Sequence, residues 1–262
     1  MRKSHTAGWA SDAPTPAQLK ELFSQIASGR INKRRLQTFL RSGMVFKNEE
    51  IARLILGDDI VFPDEVAESR GLSYTDAQLK HFAEMMPSEE VLRWCKTNGY
   101  AIVAGPPSPM GLLEVRTFKS EHFYSKGGGW YGGGHAFGNG DRAETEWLAI
   151  RKEPVPNSLN QSWSEQLRLL SKDEQVPNTG EMSWFITTFY EVRGVRLFEE
   201  VYVRTSSVTS DGYRVLVGLF DEDGLRVDGC WGGGRDCYIG LAASRQSFSV
   251  NVKYPRKGGY FI

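Results

Sequence analysis

Between Lys126 and Asp141 run three glycines, Trp130-Tyr131, three more glycines, His135 and then Gly138-Asn139-Gly140. Glycine lets a backbone approach a ligand closely, Trp130 and Tyr131 offer faces on which a ring stacks, and His135 brings an imidazole for acid–base work. A second run, Trp231-Gly232-Gly233-Gly234 followed by Arg235, repeats the theme. If the two loops meet at one sheet edge, Trp130, Tyr131 and Trp231 make an aromatic ledge for a sugar, base or peptide, with His135 and Arg235 beside it. Taken alone, the first stretch is a long hairpin loop between strands near 120 and 146, and each glycine run is ordinary turn usage.

The named motifs fail on these loops. No lysine follows the glycines, so there is no phosphate loop of the G-x-x-x-x-G-K-[ST] type. A dinucleotide fingerprint needs a strand before and a helix after, and both flanks here read as strands. Asp221-Glu222-Asp223-Gly224 suggests calcium, but the twelfth position of an EF-hand loop would be Gly232, where glutamate is required. The segment is read as an Asp-Gly hairpin turn, with Asp228 and Asp236 leaving an irregular oxygen site as a minor alternative. His5, His81, His122 and His135 show no metal-ligand spacing, and there is no G-x-S-x-G elbow or H-E-x-x-H helix. Glu199-Glu200 and the other acids are scattered at strand ends. No cofactor and no metal are expected.

Nucleic acid is the other chemistry to test. Ala67 to Met86 has the outline of a helix-turn-helix, but its second helix carries only Lys80 and His81 and lies in an acidic stretch that repels phosphate. The better candidates are Arg30, Lys33, Arg34, Arg35 and Arg41 on basic helices over 16–42.

These residues need elements to hold them. Thr15-Pro16-Ala17-Gln18 opens a helix with an N-cap hydroxyl, a proline at the first helical position and a capping-box glutamine. Leu19, Leu22, Phe23 and Ile26 form its stripe, and Gly29 ends it. Further helices are predicted over 33–41, 48–57, 63–70, 75–86 and 88–98. The chain then turns strand-like at 100–104, alternates loosely over 115–124, and is again strand-like at 146–152. A short helix is expected over 162–170. Residues 181–193 fit both periodicities and are assigned to a helix because Gly194 follows. Strands at 200–205, 213–220, 225–230 and 237–242 read as an antiparallel meander.

Charge divides the first 95 residues. Residues 1–48 carry nine basic and two acidic side chains, a net +7, and residues 49–95 carry four and eleven, a net −7, on a chain of net charge zero. Such asymmetry points to partners rather than to chemistry. With 40% apolar and 24% charged residues the composition is that of a globular protein. Met1-Arg2-Lys3 leads into polar residues rather than an apolar stretch, and no apolar run is long enough to span a membrane. Three cysteines, Cys95, Cys230 and Cys237, suggest a reduced, cytoplasmic setting, with a Cys230–Cys237 pair across a hairpin as a lesser option.

Several segments resemble a group of uncharacterised bacterial proteins from candidate-phylum, small-genome lineages. They are Thr15–Phe23, Pro87–Cys95, Trp147–Lys152, Arg196–Glu199, Tyr213–Phe220 and Gly224–Val227. The resemblance spans most of the chain and brings no activity with it, and the glycine-rich loop is richer here than in that group.

The expectation is an α+β protein: a tail over 1–14, a helical region over 15–98, an α+β region with an antiparallel meander over 99–245, and a basic tail over 246–262. Its function is expected to be non-catalytic binding or assembly, with a protein partner or self-association through the opposite charge blocks 1–48 and 49–95, pairing of the blocks within one chain as the alternative, and no membrane partner. The alternatives are a nucleic-acid-associated protein using the basic helices 16–42, and an enzyme with a site near the Gly/Trp-rich loops 126–141 and 230–237.

Overall fold

The computed structural model describes residues 16–32 and 48–245. It divides into two compact units at Lys47/Asn48. In the first, α1 (Pro16–Ala27) ends at Gly29, whose φ of +75° is the left-handed stop the sequence predicts. Leu19 and Phe23 of its apolar stripe are exposed. The tail 1–14, the helix expected over 33–41 and the tail 246–262 lie outside the described residues.

The second unit is α+β. Helices α2 (Asn48–Leu56), α3 (Pro63–Arg70), α4 (Asp76–Glu84) and α5 (Glu89–Thr97) come first. Thr75 and Ser88 accept the orphan amides of Gln78 and Val91, and Gly71 closes α3 at φ +65°. These helices belong to the same compact unit as the described residues after Gly99, so the composition change at that glycine is not a boundary between compact units. The reason is β1 (Ile60–Val61), which pairs in parallel with β2 (Tyr100–Ala104) and ties residues 48–98 into the sheet. Every side chain of β2 is buried, as in a strand covered on both faces.

β3 (Met110–Gly111) leads into α6 (Leu112–Phe118), where the sequence suggested a loosely alternating strand. Leu112 and Val115 are buried at helical spacing, and the Gly111 N–H donates to the Glu114 carboxylate at 2.7 Å, closing the first turn. The glycine-rich stretch is not a hairpin loop. It forms a 3-10 turn over Trp130–Gly132, a helical turn α7 (Phe137–Gly140) and then β4 (Arg142–Ala143), which pairs with β3. Tyr131 and Phe137 inside it are core residues.

β5 (Trp147–Arg151) pairs with β2. After α8 (Trp163–Leu167) and β6 (Glu174–Gln175), α9 (Thr179–Arg193) runs through the middle of the unit. Asn178 caps it with Glu181 in a capping box, and Gly194 ends it at φ +69°. Met182, Trp184, Phe185, Ile186 and Phe189 are all buried, so α9 is enclosed nearly all round rather than amphipathic. The Trp184 indole donates to the Ala104 carbonyl of β2 at 2.9 Å.

The second sheet is formed by β7 (Tyr202–Val208), β8 (Arg214–Asp221), β9 (Gly224–Cys230) and β10 (Ile239–Leu241), in the order β10-β7-β8-β9. Three strands make the expected meander. The fourth does not: β10 lies parallel to β7 at the far edge, because residues 231–238 carry the chain across the sheet. β11 (Ser244–Arg245) joins the first sheet, whose order is β1-β2-β5-β11-β6.

Candidate functional site

The register of the second sheet decides which side chains meet. Val203, Val217 and Val227 are aligned across three strands and face the core. Arg204, Leu216 and Asp228 are aligned on the opposite face.

The two Trp-glycine loops fall on opposite faces of β9. The Trp130 indole N–H donates to the Val227 carbonyl at 3.0 Å, and its ring lies against Gly229. Trp130 meets Tyr131 and His135 edge to face, at 5.9 and 5.1 Å between centroids. The His135 Nδ1 lies 3.3 Å from the Ser210 hydroxyl. Tyr131, only 2% exposed, has no free face, and burial pushes its phenol upward. On the other side, the Gly232 carbonyl accepts from the Trp163 N–H at 2.8 Å, and Arg235 pairs with Glu165 at 2.6 Å. Trp231 is exposed and lies over Gly233. The structure therefore brings Trp130, Tyr131 and His135 together and places Trp231 and Arg235 apart from them, so the three aromatics form no common ledge. Of the basic candidates, Arg30 is exposed just after α1, and Lys33, Arg34, Arg35 and Arg41 lie outside the described residues.

What does form on the outer face is a groove of about 510 Å³. Leu216, Leu219 and Ile239 are its apolar floor, and Tyr202 and Tyr238 stand at its sides. Glu200, Asp228 and Asp236 bring carboxylates to it, and Cys230 lines it as well. Two of the acids are fixed by the backbone: Asp228 accepts the Gly229 N–H and Asp236 the Tyr238 N–H, each at 2.8 Å. None of the three acids enters an ion pair among the described residues. Burial pushes the Tyr202 phenol upward, with the Asp228 carboxylate adding to the effect and Arg226 opposing it.

A bulge positions the floor. Gly218 and Leu219 have φ of +151° and +43°, and the β8–β9 register shifts between Gly218 and Asp221. Gly218 is required there, because a Cβ would stand 2.2 Å from the Val201 carbonyl oxygen. Leu219 is different: a leucine in the left-handed region costs roughly 1–2 kcal/mol, and the bulge turns it onto the groove. Beside Leu216, on the same face of the sheet, lies Arg204 with 0% exposure. It donates to the carbonyls of Gln161 and Gly234 and to the Gln166 side chain at 2.7–2.9 Å, and no carboxylate touches it.

Two other clusters are electrostatically distinct. Donor atoms of Glu121, His122 and Glu191 lie within 4.8 Å of one another, spacing a metal could use. Glu191, however, already meets Arg70 and Lys119 at 2.8 Å and His122 at 3.0 Å, so a metal would have to displace cations already in place. Arg70 is buried, held by Thr187, Thr188 and Glu191, and this knot fastens α3 to α9. At the start of α9, burial pushes Glu181 up to about 7, with Asp141 and Glu144 adding repulsion and the Asn178 N–H opposing it.

Sequence reasoning named Asp228 and Asp236 only as a minor alternative for an irregular oxygen site, named Glu200 only as a strand-end acid, and did not name Tyr202, Leu219 or Tyr238. The alternation of Tyr202, Arg204 and of Leu216, Gly218 was a legible signal for one face. Nothing in the sequence marks Leu219 as left-handed. No family model, no curated protein and no solved structure matches the chain.

Proposed function

We propose that the chain is a non-catalytic binding protein whose ligand site is the groove on the outer face of the second sheet. The observation that carries this reading is the bulge at Gly218-Leu219, a left-handed leucine in the middle of a strand whose side chain lines the groove. Strain of that kind persists only where the surrounding structure fixes it, and it concentrates at ligand sites. The size supports the same reading, since small-ligand sites occupy about 300–1,000 Å³ and combine an apolar lining with a few placed polar groups. The 230–237 loop borders this groove and the 126–141 loop does not, so the ligand role belongs to the former.

The test is a chemically mixed fragment set followed by amide NMR of the full chain. The expected result is that hits shift Tyr202, Leu216, Asp228–Cys230 and Asp236–Ile239 together, and that every fragment is recovered unchanged. Hits confined to the His135 side of β9, or consumption of any fragment, would overturn it.

A further inference from the structure

We infer that the groove takes a linear aliphatic polyamine, a small ligand with separated ammonium groups on an alkyl chain. This rests on the groove being the binding site. Three carboxylates border it, and the sealed Arg204 guanidinium offsets one, leaving two uncompensated charges. The other nearby cations are engaged elsewhere: Arg226 with Asp221 and Asp223, and Arg235 with Glu165. Arg204 cannot recruit an anion, because no part of it reaches solvent and its two terminal nitrogens already donate to carbonyls, the Gln166 amide and the Cys230 sulfur.

The spacing of the acids separates an organic polycation from a metal ion. Among the described residues, only Glu121, His122 and Glu191 bring three donor atoms within 4.8 Å of one another. Glu200, Asp228 and Asp236 therefore do not converge on one point, and a single ion cannot satisfy them. Separated ammonium groups can. Between them, methylenes would cover Leu216, Leu219 and Ile239, and the Tyr202 and Tyr238 rings add cation–π attraction. Asp228 and Asp236 are held in place by the backbone amides of Gly229 and Tyr238, so little side-chain ordering is lost on binding.

The test is calorimetric titration of the full chain with spermidine, with triethylene glycol as a neutral chain of comparable length, and with a short lysine-rich peptide. NMR maps each contact. Spermidine is expected to bind at the groove, to weaken as salt rises, and to bind about tenfold more weakly to the Asp228→Asn, Asp236→Asn double variant. Asparagine can still accept the two backbone N–H groups, so an unchanged melting temperature reports an intact fold. Equal binding of the glycol chain at the groove would leave the binding-protein reading standing and overturn the cationic ligand. Binding of the lysine-rich peptide alone would overturn the small-molecule source. Spermidine binding indifferent to salt or to the double variant would overturn the inference, and if fragments also miss the groove, the site itself is wrong.

Discussion

Two single residues carry strain that can be measured. Glu181 is the capping-box acid of α9, yet burial and the neighbouring Asp141 and Glu144 carboxylates raise it from 4.5 to about 7. A carboxyl whose proton is held more tightly in the folded chain favours folding below its unfolded value, and this advantage is lost as pH rises through 7. At about 1.4 kcal/mol for each tenfold in proton affinity, the ionised form costs at most about 3 kcal/mol. Glu181→Gln keeps an oxygen for the Asn178 N–H and removes the charge. Its advantage over the native chain should be near zero at pH 4.5 and approach that limit by pH 8, read from denaturant midpoints. An equal effect at both pH values would rule this out. Leu219 is the second case. Asparagine tolerates the left-handed region, so Leu219→Asn trades lost apolar contact for relieved strain and should change stability by less than about 1 kcal/mol. Leu216→Asn, at an extended and buried position of the same strand, should cost about 3 kcal/mol. Equal losses would show that Leu219 is not strained. The sequence could not reveal this pair, since leucine carries no local preference for a positive φ and both positions read as ordinary strand.

Elements were legible where their signals are local. The caps at Thr75 and Ser88 and the stops at Gly71 and Gly194 lie within a few residues of the backbone groups they satisfy, and each helix ends where they say. Nonlocal pairing was not legible. β10 continues a row of strand-like segments, so a fourth antiparallel strand was the natural expectation, and only the path of 231–238 across the sheet makes it parallel to β7. The 126–141 stretch misled for a related reason, because its glycines look like loop while Tyr131 and Phe137 are buried core. Packing between elements sets a sharp test at Gly180, in the first turn of α9. A Cβ there would stand 2.4 Å from the Asp141 carbonyl oxygen and 3.0 Å from Ala143 N, both backbone atoms. In an ordinary helix Gly→Ala gains about 1 kcal/mol. Here the clash should reverse the sign, and Gly180→Ala should lose about 2 kcal/mol in urea unfolding. A gain would mean that α9 can shift away from β4.

At the scale of the whole chain the charge blocks are the feature without a local explanation. The boundary between the two units falls at Lys47, so the +7 block lies in one and the −7 block in the other. Within the second unit some of the acids are already used. Asp59 meets Lys96 and Lys152, and Glu65 meets Arg53 and Arg193, so these two fasten the early helices to later strands and helices. Glu49, Glu50, Asp64, Asp76 and Glu90 are exposed. No ion pair among the described residues includes them. A surface of this kind attracts a basic chain over roughly one Debye length, about 30 Å at 0.01 M salt and about 3 Å at 1 M. If the basic block of one copy meets the acidic helices of another, the full chain should be larger than a monomer at low salt and fall to a monomer as salt rises. A chain lacking residues 1–47 should be monomeric throughout. Light scattering across a salt series decides it, with nucleic acid removed beforehand so that a bound polyanion does not mask the basic block. A full chain that stays monomeric at every salt concentration would mean that the blocks do not join copies, leaving the groove as the chain's binding surface.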